Sequence, residues 1–268
     1  MPFTISHAAA ILPFARPLSR WRLLSACVIG AMVPDFGLFF PWRLGRLETH
    51  SAIALITFCL PAGLVTYWIF QILIRTPVLE VLPEGAYARS RATAAPADIR
   101  NLIQWVRAAC GLLVGAVTHL IWDAFTHEGA RGVRMLPWLD DPFLEFGKRH
   151  YDAVRVMQDL GSLVGLALVL ALVAFGLRPG ADAAIPNRPL SAPERRWWVL
   201  AYAITAIGLS IAAHFFARIG LPSPHSIIAV ANEIAVAALR GLAAALLLVS
   251  LGLQIRLRRL GYRSSEPR

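Results

Sequence analysis

The chain has 268 residues, of which 57% are apolar and only 16% charged, with a formal net charge of +10. So high an apolar fraction excludes a disordered chain, and apolar runs longer than about 18 residues argue against a soluble globular domain. The Arg residues lie between those runs rather than in one patch, so the charge follows the positive-inside rule and does not imply a nucleic-acid partner.

The opening, MPFTISHAAAILPFARPLSRWR, carries no charge ahead of its apolar stretch and is interrupted by Pro13 and Pro17. That is not the pattern of a cleaved signal peptide, and the segment is expected to remain in the protein. Residues 3–15 are too few to cross a bilayer. The basic turn Arg16–Arg22 then predicts a short half-crossing helix packed antiparallel on the run that follows.

Six long apolar runs come next, at 23–40, 51–74, 105–127, 160–177, 197–217 and 227–255. The second is uncharged over 24 residues. At about 1.5 Å per residue it crosses a hydrocarbon core of about 30 Å with some tilt. Pro61 and Gly63 predict a kink within it, which membrane helices tolerate. The fourth, LGSLVGLALVLALVAFGL, is also uncharged. Between the runs, 76–104 and 128–158 read as long loops. Cys27, Cys59 and Cys110 fall inside apolar segments, with no metal-binding spacing. Trp42, Trp68, Trp105, Trp122, Trp138, Trp197 and Trp198 lie mostly near segment ends, as an aromatic belt predicts. The predicted fold is an all-α polytopic membrane helical bundle. It has about six long transmembrane helices plus the short N-terminal one, in a single integral membrane domain over 1–268.

Counting basic residues by loop sets the orientation. With the C-terminus in the cytoplasm, the cytoplasmic segments 16–22, 75–107, 178–196 and 256–268 hold 17 Lys and Arg. The opposite segments 41–50, 128–158 and 218–226 hold 8. The expected setting is therefore a bacterial plasma membrane, crossed several times, with the tail IRLRRLGYRSSEPR inside.

Ionisable groups inside a bilayer are expensive and usually functional. In this orientation His7, Asp35, His50, His119 and Asp123 all come to one membrane face, although the orientation was set by Arg and Lys alone. The sharpest motif is His119-Leu-Ile-Trp-Asp123-Ala-Phe-Thr-His127. Positions i, i+4 and i+8 drift about 40° around a helix, so the three side chains share one face. An imidazole and a carboxylate one turn apart suit a divalent cation, zinc first. Pro34 presents Asp35 at a helix break. His50 stands just before the uncharged run. His127, Gln158 and Asp159 are secondary candidates, with Gln158-Asp159 also reading as an N-cap to the run at 160. His214, Glu233 and Arg240 read as interface or pairing residues.

The opening MPFTISHAAAILPFAR, the Val33-Pro34-Asp35 triplet, the His50-Ser51 pair and GAVTHLIWDAFTHEGARGV resemble the bacterial family described as domain of unknown function DUF4184. More distantly, the same order of motifs resembles inner-membrane metal-dependent hydrolases and, more weakly, zinc-dependent phospholipase C-like proteins. That likeness implies His7, Asp35, His50, His119 and Asp123 as metal ligands, with residues 1–133 carrying the site and 134–268 supplying supporting helices. Two features depart from the hydrolase pattern. Gly37 follows Phe36 where a second acid or His often stands, and Arg46-Leu47-Glu48-Thr49 precedes His50. Both argue against a full two-metal site.

The leading functional expectation is a membrane-embedded, metal-dependent hydrolase working near the extracytoplasmic face on an amphiphilic, lipid-like or phosphoester substrate. Asp123 or Asp35 would take a proton from water. The alternative is a non-catalytic membrane protein with a structural metal or an internally paired polar cluster. A transporter would place polar groups at the bilayer midplane and on both sides of it, which this sequence does not.

Overall fold

The structure is a computed structural model that describes residues 4–39, 44–93, 100–146, 149–177, 188–218 and 227–262. Five helices are long and apolar enough to cross a membrane: Leu55–Val81, Leu102–Thr126, Ala153–Phe175, Ala192–Arg218 and Val230–Arg259. With little sheet besides, the protein is a polytopic helical membrane protein. Large apolar side chains cover its surface, among them Val65, Val114, Leu163, Phe175, Ile204 and Leu248. Such a surface needs hydrocarbon rather than water around it.

The chain divides into two compact units, residues 1–67 with 101–175, and residues 68–100 with 176–268. The first begins with two short 3-10 turns, Thr4–Ala10 and Leu12–Phe14. Helix α1 (Ala15–Arg20) follows. Arg22 reverses the chain with φ of 57°, the left-handed region that bulky residues seldom enter. Helix α2 (Leu24–Gly30) then runs into a 3-10 segment, Val33–Phe39. The run expected to span at 23–40 is therefore a short helix plus a tighter turn. Pro34 brings no N–H to an α-helical ladder, so the apolar run does not continue as one helix. Ile11, Cys27 and Ala31 form a small core there, flanked by Leu18, Leu23, Leu24 and Val28.

A single turn, Arg46–Thr49, leads to helix α3 (Leu55–Val81). The sequence places a kink at Pro61. The structure accommodates the prolines with π-helical turns at Leu55–Cys59 and Phe70–Ile74, upstream of Pro61 and Pro77. A wider turn takes up the ring and the missing N–H. Residues 76–104 are more helical than expected. Helix α3 extends to Val81, and α4 (Glu84–Thr93) follows.

Helix α5 (Leu102–Thr126) starts where the Asn101 side chain accepts the Ile103 N–H at 2.9 Å. It crosses α2 at two glycines. A methyl group on Gly115 would overlap the Cys27 carbonyl oxygen, and one on Gly30 would overlap the Leu112 carbonyl oxygen. Only glycine permits backbones to approach that closely.

Residues 128–158 are structured too. Helix α6 (Arg131–Met135), a 3-10 turn at Pro137–Asp140 and an antiparallel hairpin, β1 (Pro142–Phe146) with β2 (Arg149–Asp152), precede helix α7 (Ala153–Leu177). Val133, Leu139, Ala153 and Val154 close a second small core against Phe125.

In the second unit, helices α8 (Ala192–Arg218) and α9 (Ile227–Arg259) pack along each other. Leu190, Leu253 and Leu257 are buried beside Val81, Trp198 and Tyr262. The Tyr202 hydroxyl bonds Ser250 Oγ at 2.8 Å. Glu233 pairs with Arg218 at 3.3 Å, the structural pairing expected for it.

Candidate metal centre

Four segments of the first unit deliver the polar side chains to one place. His7 sits on the Thr4–Ala10 turn, Asp35 on the Val33–Phe39 turn, and His50 just ahead of α3. His119 and Asp123 occupy one face of α5, and His127 caps its C-terminus. Four of the seven histidines in the chain thus meet two carboxylates.

The nearest approaches are uniform. His50 Nε2 lies 3.4 Å from Asp35 Oδ1 and 3.6 Å from Asp123 Oδ2. His119 Nε2 lies 3.7 Å from both of these oxygens. His7 Nε2 lies 3.7 Å and His127 Nδ1 3.5 Å from Asp123 Oδ1. Two triads, His7–His119–Asp123 and Asp35–His50–His119, each keep their ligand atoms within 4.8 Å of one another. His7, His119 and Asp123 are buried, whereas Asp35 and His50 retain 13% side-chain exposure.

Hydrogen bonds aim the rings. His119 Nδ1 donates to the Ala31 carbonyl at 2.8 Å, so its Nε2 faces the carboxylates with a lone pair. The α2–α5 crossing at Gly30 and Gly115 brings that carbonyl within reach. His50 Nδ1 meets the Thr49 hydroxyl at 2.7 Å, which likewise turns Nε2 inward. The Thr4 hydroxyl hydrogen-bonds Asp35. The His7 ring stacks on His119 with centroids 3.7 Å apart. Buried His7 Nε2 and His119 Nε2 have no hydrogen-bond partner among the described residues.

These observations fit a divalent metal. Ligand atoms around a tetrahedral ion with bonds of about 2.0–2.2 Å stand about 3.3–3.6 Å apart. The imidazole–carboxylate separations are of this size and longer than hydrogen bonds. Imidazole with carboxylate is a zinc-type donor set, and orienting bonds from the opposite ring nitrogen are the usual support of metal-ligating histidines.

The geometry joins His7, Asp35, His50, His119, Asp123 and His127, all named from the sequence. It leaves out the Gln158-Asp159 pair. Helix α7 begins at Ala153, so the pair stands inside a helix rather than capping one. Gln158 is buried, with its backbone carbonyl accepting the Ser162 hydroxyl at 2.7 Å. Asp159 is exposed and pairs with Arg155 at 3.5 Å. Neither forms a hydrogen bond or ion pair with the cluster among the described residues. Sequence reasoning missed Thr4 and the Ala31 carbonyl. A lone Thr and a backbone oxygen carry no pattern. Thr49 was adjacent to a named ligand and was the legible one.

Fold and site together define a polytopic helical membrane protein with a buried His/Asp cluster built from its N-terminal segments and one long helix. Over residues 1–251 the chain matches the family described as Domain of unknown function (DUF4184), and it belongs to that family. No curated protein and no solved structure matches the chain.

Proposed function

We propose that the protein is a metal-dependent hydrolase embedded in the bacterial inner membrane, with the C-terminus cytoplasmic and the cluster near the extracytoplasmic face. The observation that carries this reading is the convergence of three imidazoles and two carboxylates, from distant segments, at the spacing of a metal's ligands. Asp35 Oδ1, Asp123 Oδ2, His50 Nε2 and His119 Nε2 would hold the ion. A divalent ion there supplies Lewis-acid polarisation of a phosphoryl or acyl oxygen and makes water a nucleophile near pH 7.

The side chains divide the remaining work. His119, tied to Ala31 and stacked on His7, is fixed in orientation. Asp35 is the more exposed carboxylate and is held by Thr4, so it is placed to accept a proton from an attacking water. Apolar helices around the site suit an amphiphilic substrate, lipid-like or a phosphoester. A structural metal is the competing reading, since closed four-ligand zinc sites are usually structural. The 13% exposure of both Asp35 and His50 favours the catalytic one, because it leaves the ligands open on one side.

Elemental mass spectrometry of the purified protein in mild detergent tests the proposal. Wild type should carry near-stoichiometric metal, lost in both His119→Ala and Asp35→Ala. Hydrolysis of lipid phosphoesters by the loaded wild type should follow. No bound metal after reconstitution with zinc or manganese overturns the proposal. Full metal without turnover of any phosphoester or acyl ester leaves the structural reading.

A further inference from the structure

We infer that residues 131–146 are a membrane-surface anchor, whose apolar side is seated among phospholipids at the headgroup and acyl boundary that α5 reaches at Thr126. The anchor is independent of whether the His/Asp cluster holds a metal.

The chain leaves α5 at Thr126 and then returns to it. A methyl group on Gly132 of α6 would overlap the Ala124 carbonyl oxygen and the Phe125 ring. Val133 is buried with Leu139, Ala153 and Val154, and Phe125 packs against them. The Asp141 carbonyl accepts the Ala153 N–H at 3.1 Å, which ties the segment to the start of α7 as well. Helix α6 therefore lies beside the last turn of α5 rather than beyond it. Ile121 and Trp122, about one turn further in, are exposed on a helix long and apolar enough to span hydrocarbon, as are Met157 and Leu160 on α7. A turn is about 5.4 Å, so α6 falls within the depth of about 5–10 Å at which interfacial segments bury an apolar face.

The side chains that the segment leaves uncovered are apolar. Met135 is 78% exposed and Phe143 66%, and Leu136, Trp138 and Leu144 between and beside them are exposed too. So many large apolar groups in one short stretch would face water if the segment projected from the bilayer. Charged groups are interspersed with them, since Arg131, Arg134, Asp140, Asp141 and Glu145 are exposed. That mixture selects the occupant. The core of a protein–protein contact is depleted of charge. The bilayer surface accepts apolar bodies and charged heads from the same segment, and Trp is enriched there. The segment also adjoins the ends of two helices whose exposed faces already require hydrocarbon.

The test places the photo-cross-linker p-benzoylphenylalanine at position 135 or 143 of the full chain. Each protein is reconstituted in vesicles of phosphatidylethanolamine and phosphatidylglycerol, irradiated, and read by intact-mass spectrometry. Both should gain the mass of one phospholipid, in a yield comparable to that of the same probe at position 163, where Leu163 is exposed within the α7 span. Lipid adducts at 163 with none at 135 or 143 would place the segment in water and overturn the anchor. A cross-linked dimer in place of the lipid adduct would make a second copy of the chain the occupant, and overturns it equally.

Discussion

The two units of this protein handle buried polarity in opposite ways. In the second, oppositely charged or complementary polar side chains meet two at a time. Glu80 pairs with Arg188, Glu233 with Arg218, and Tyr202 with Ser250. In the first, six ionisable side chains crowd one point, with separations of 3.4–3.7 Å and several rings sharing each carboxylate. Convergence of this kind has a cost that a ligand offsets. The backbones differ to match. Long helices α8 and α9 dominate the second unit, whereas the cluster of the first is assembled from 3-10 turns set against one face of α5.

The largest test of this contrast breaks the pairing in the second unit. Arg188 is 4% exposed and Glu80 1%. Arg188 also donates to the carbonyls of Leu79, Glu80 and Leu82, satisfying the end of α3, and lies 4.2 Å from the Tyr87 ring centroid. Arg188→Met keeps the bulk and strands the Glu80 carboxylate, at a cost of about 3–5 kcal/mol. Thermal unfolding in detergent should show a large fall in Tm. Metal per folded chain, measured below that temperature, should not change. Metal loss in the folded variant would show that the two units do not keep their polar chemistry separate.

A smaller stability effect with a larger chemical one is expected at Gly115. Gly115→Ala forces a methyl group against the Cys27 carbonyl and the Ala31 amide, which are backbone and cannot rotate away. Overpacking of this kind costs about 1–3 kcal/mol. The displaced α2–α5 crossing would also carry the Ala31 carbonyl away from His119 Nδ1. Metal affinity should fall by about 10–100-fold, as when an orienting bond to a ligand is removed. The matching control is Gly208→Ala on α8, where nothing lies within 4 Å of the added methyl. Isothermal titration of the metal-free proteins with zinc compares them. Equal affinities would detach the crossing from the site.

The same contrast explains what was legible in the sequence. Helices α8 and α9 of the second unit announce themselves by long apolar runs, but α8 starts at Ala192 and α9 continues to Arg259, each beyond the apolar stretch. The fold class followed from such runs. The run at 23–40 was misread as a span because its composition is apolar throughout, and composition does not register that Pro34 ends the α-helical ladder. Residues 128–158 lack periodicity because one core of a few side chains and a short hairpin, rather than an amphipathic face, organise them. The candidate ligands were legible for the opposite reason, since His and Asp stand out against an apolar background. Which oxygen of Asp123 meets which ring was not. That depends on side-chain rotamers and on a close backbone crossing, and neither leaves a spacing in the sequence.

The smallest expected effect belongs to the Tyr202–Ser250 pair. Its hydrogen bond is 2.8 Å long, between α8 and α9, and Ser250 is fully buried. Interhelical hydrogen bonds in membrane proteins average only about 0.6 kcal/mol, because the separated helices find other partners. Tyr202→Phe and Ser250→Ala should each lower stability by about that amount. The double variant should cost less than their sum, since each single change already forfeits the shared bond. Chemical unfolding of the four proteins in one detergent measures the coupling. Metal content should stay at the wild-type value in all four. A coupling near zero would mean that the pair forms without stabilising the helix contact.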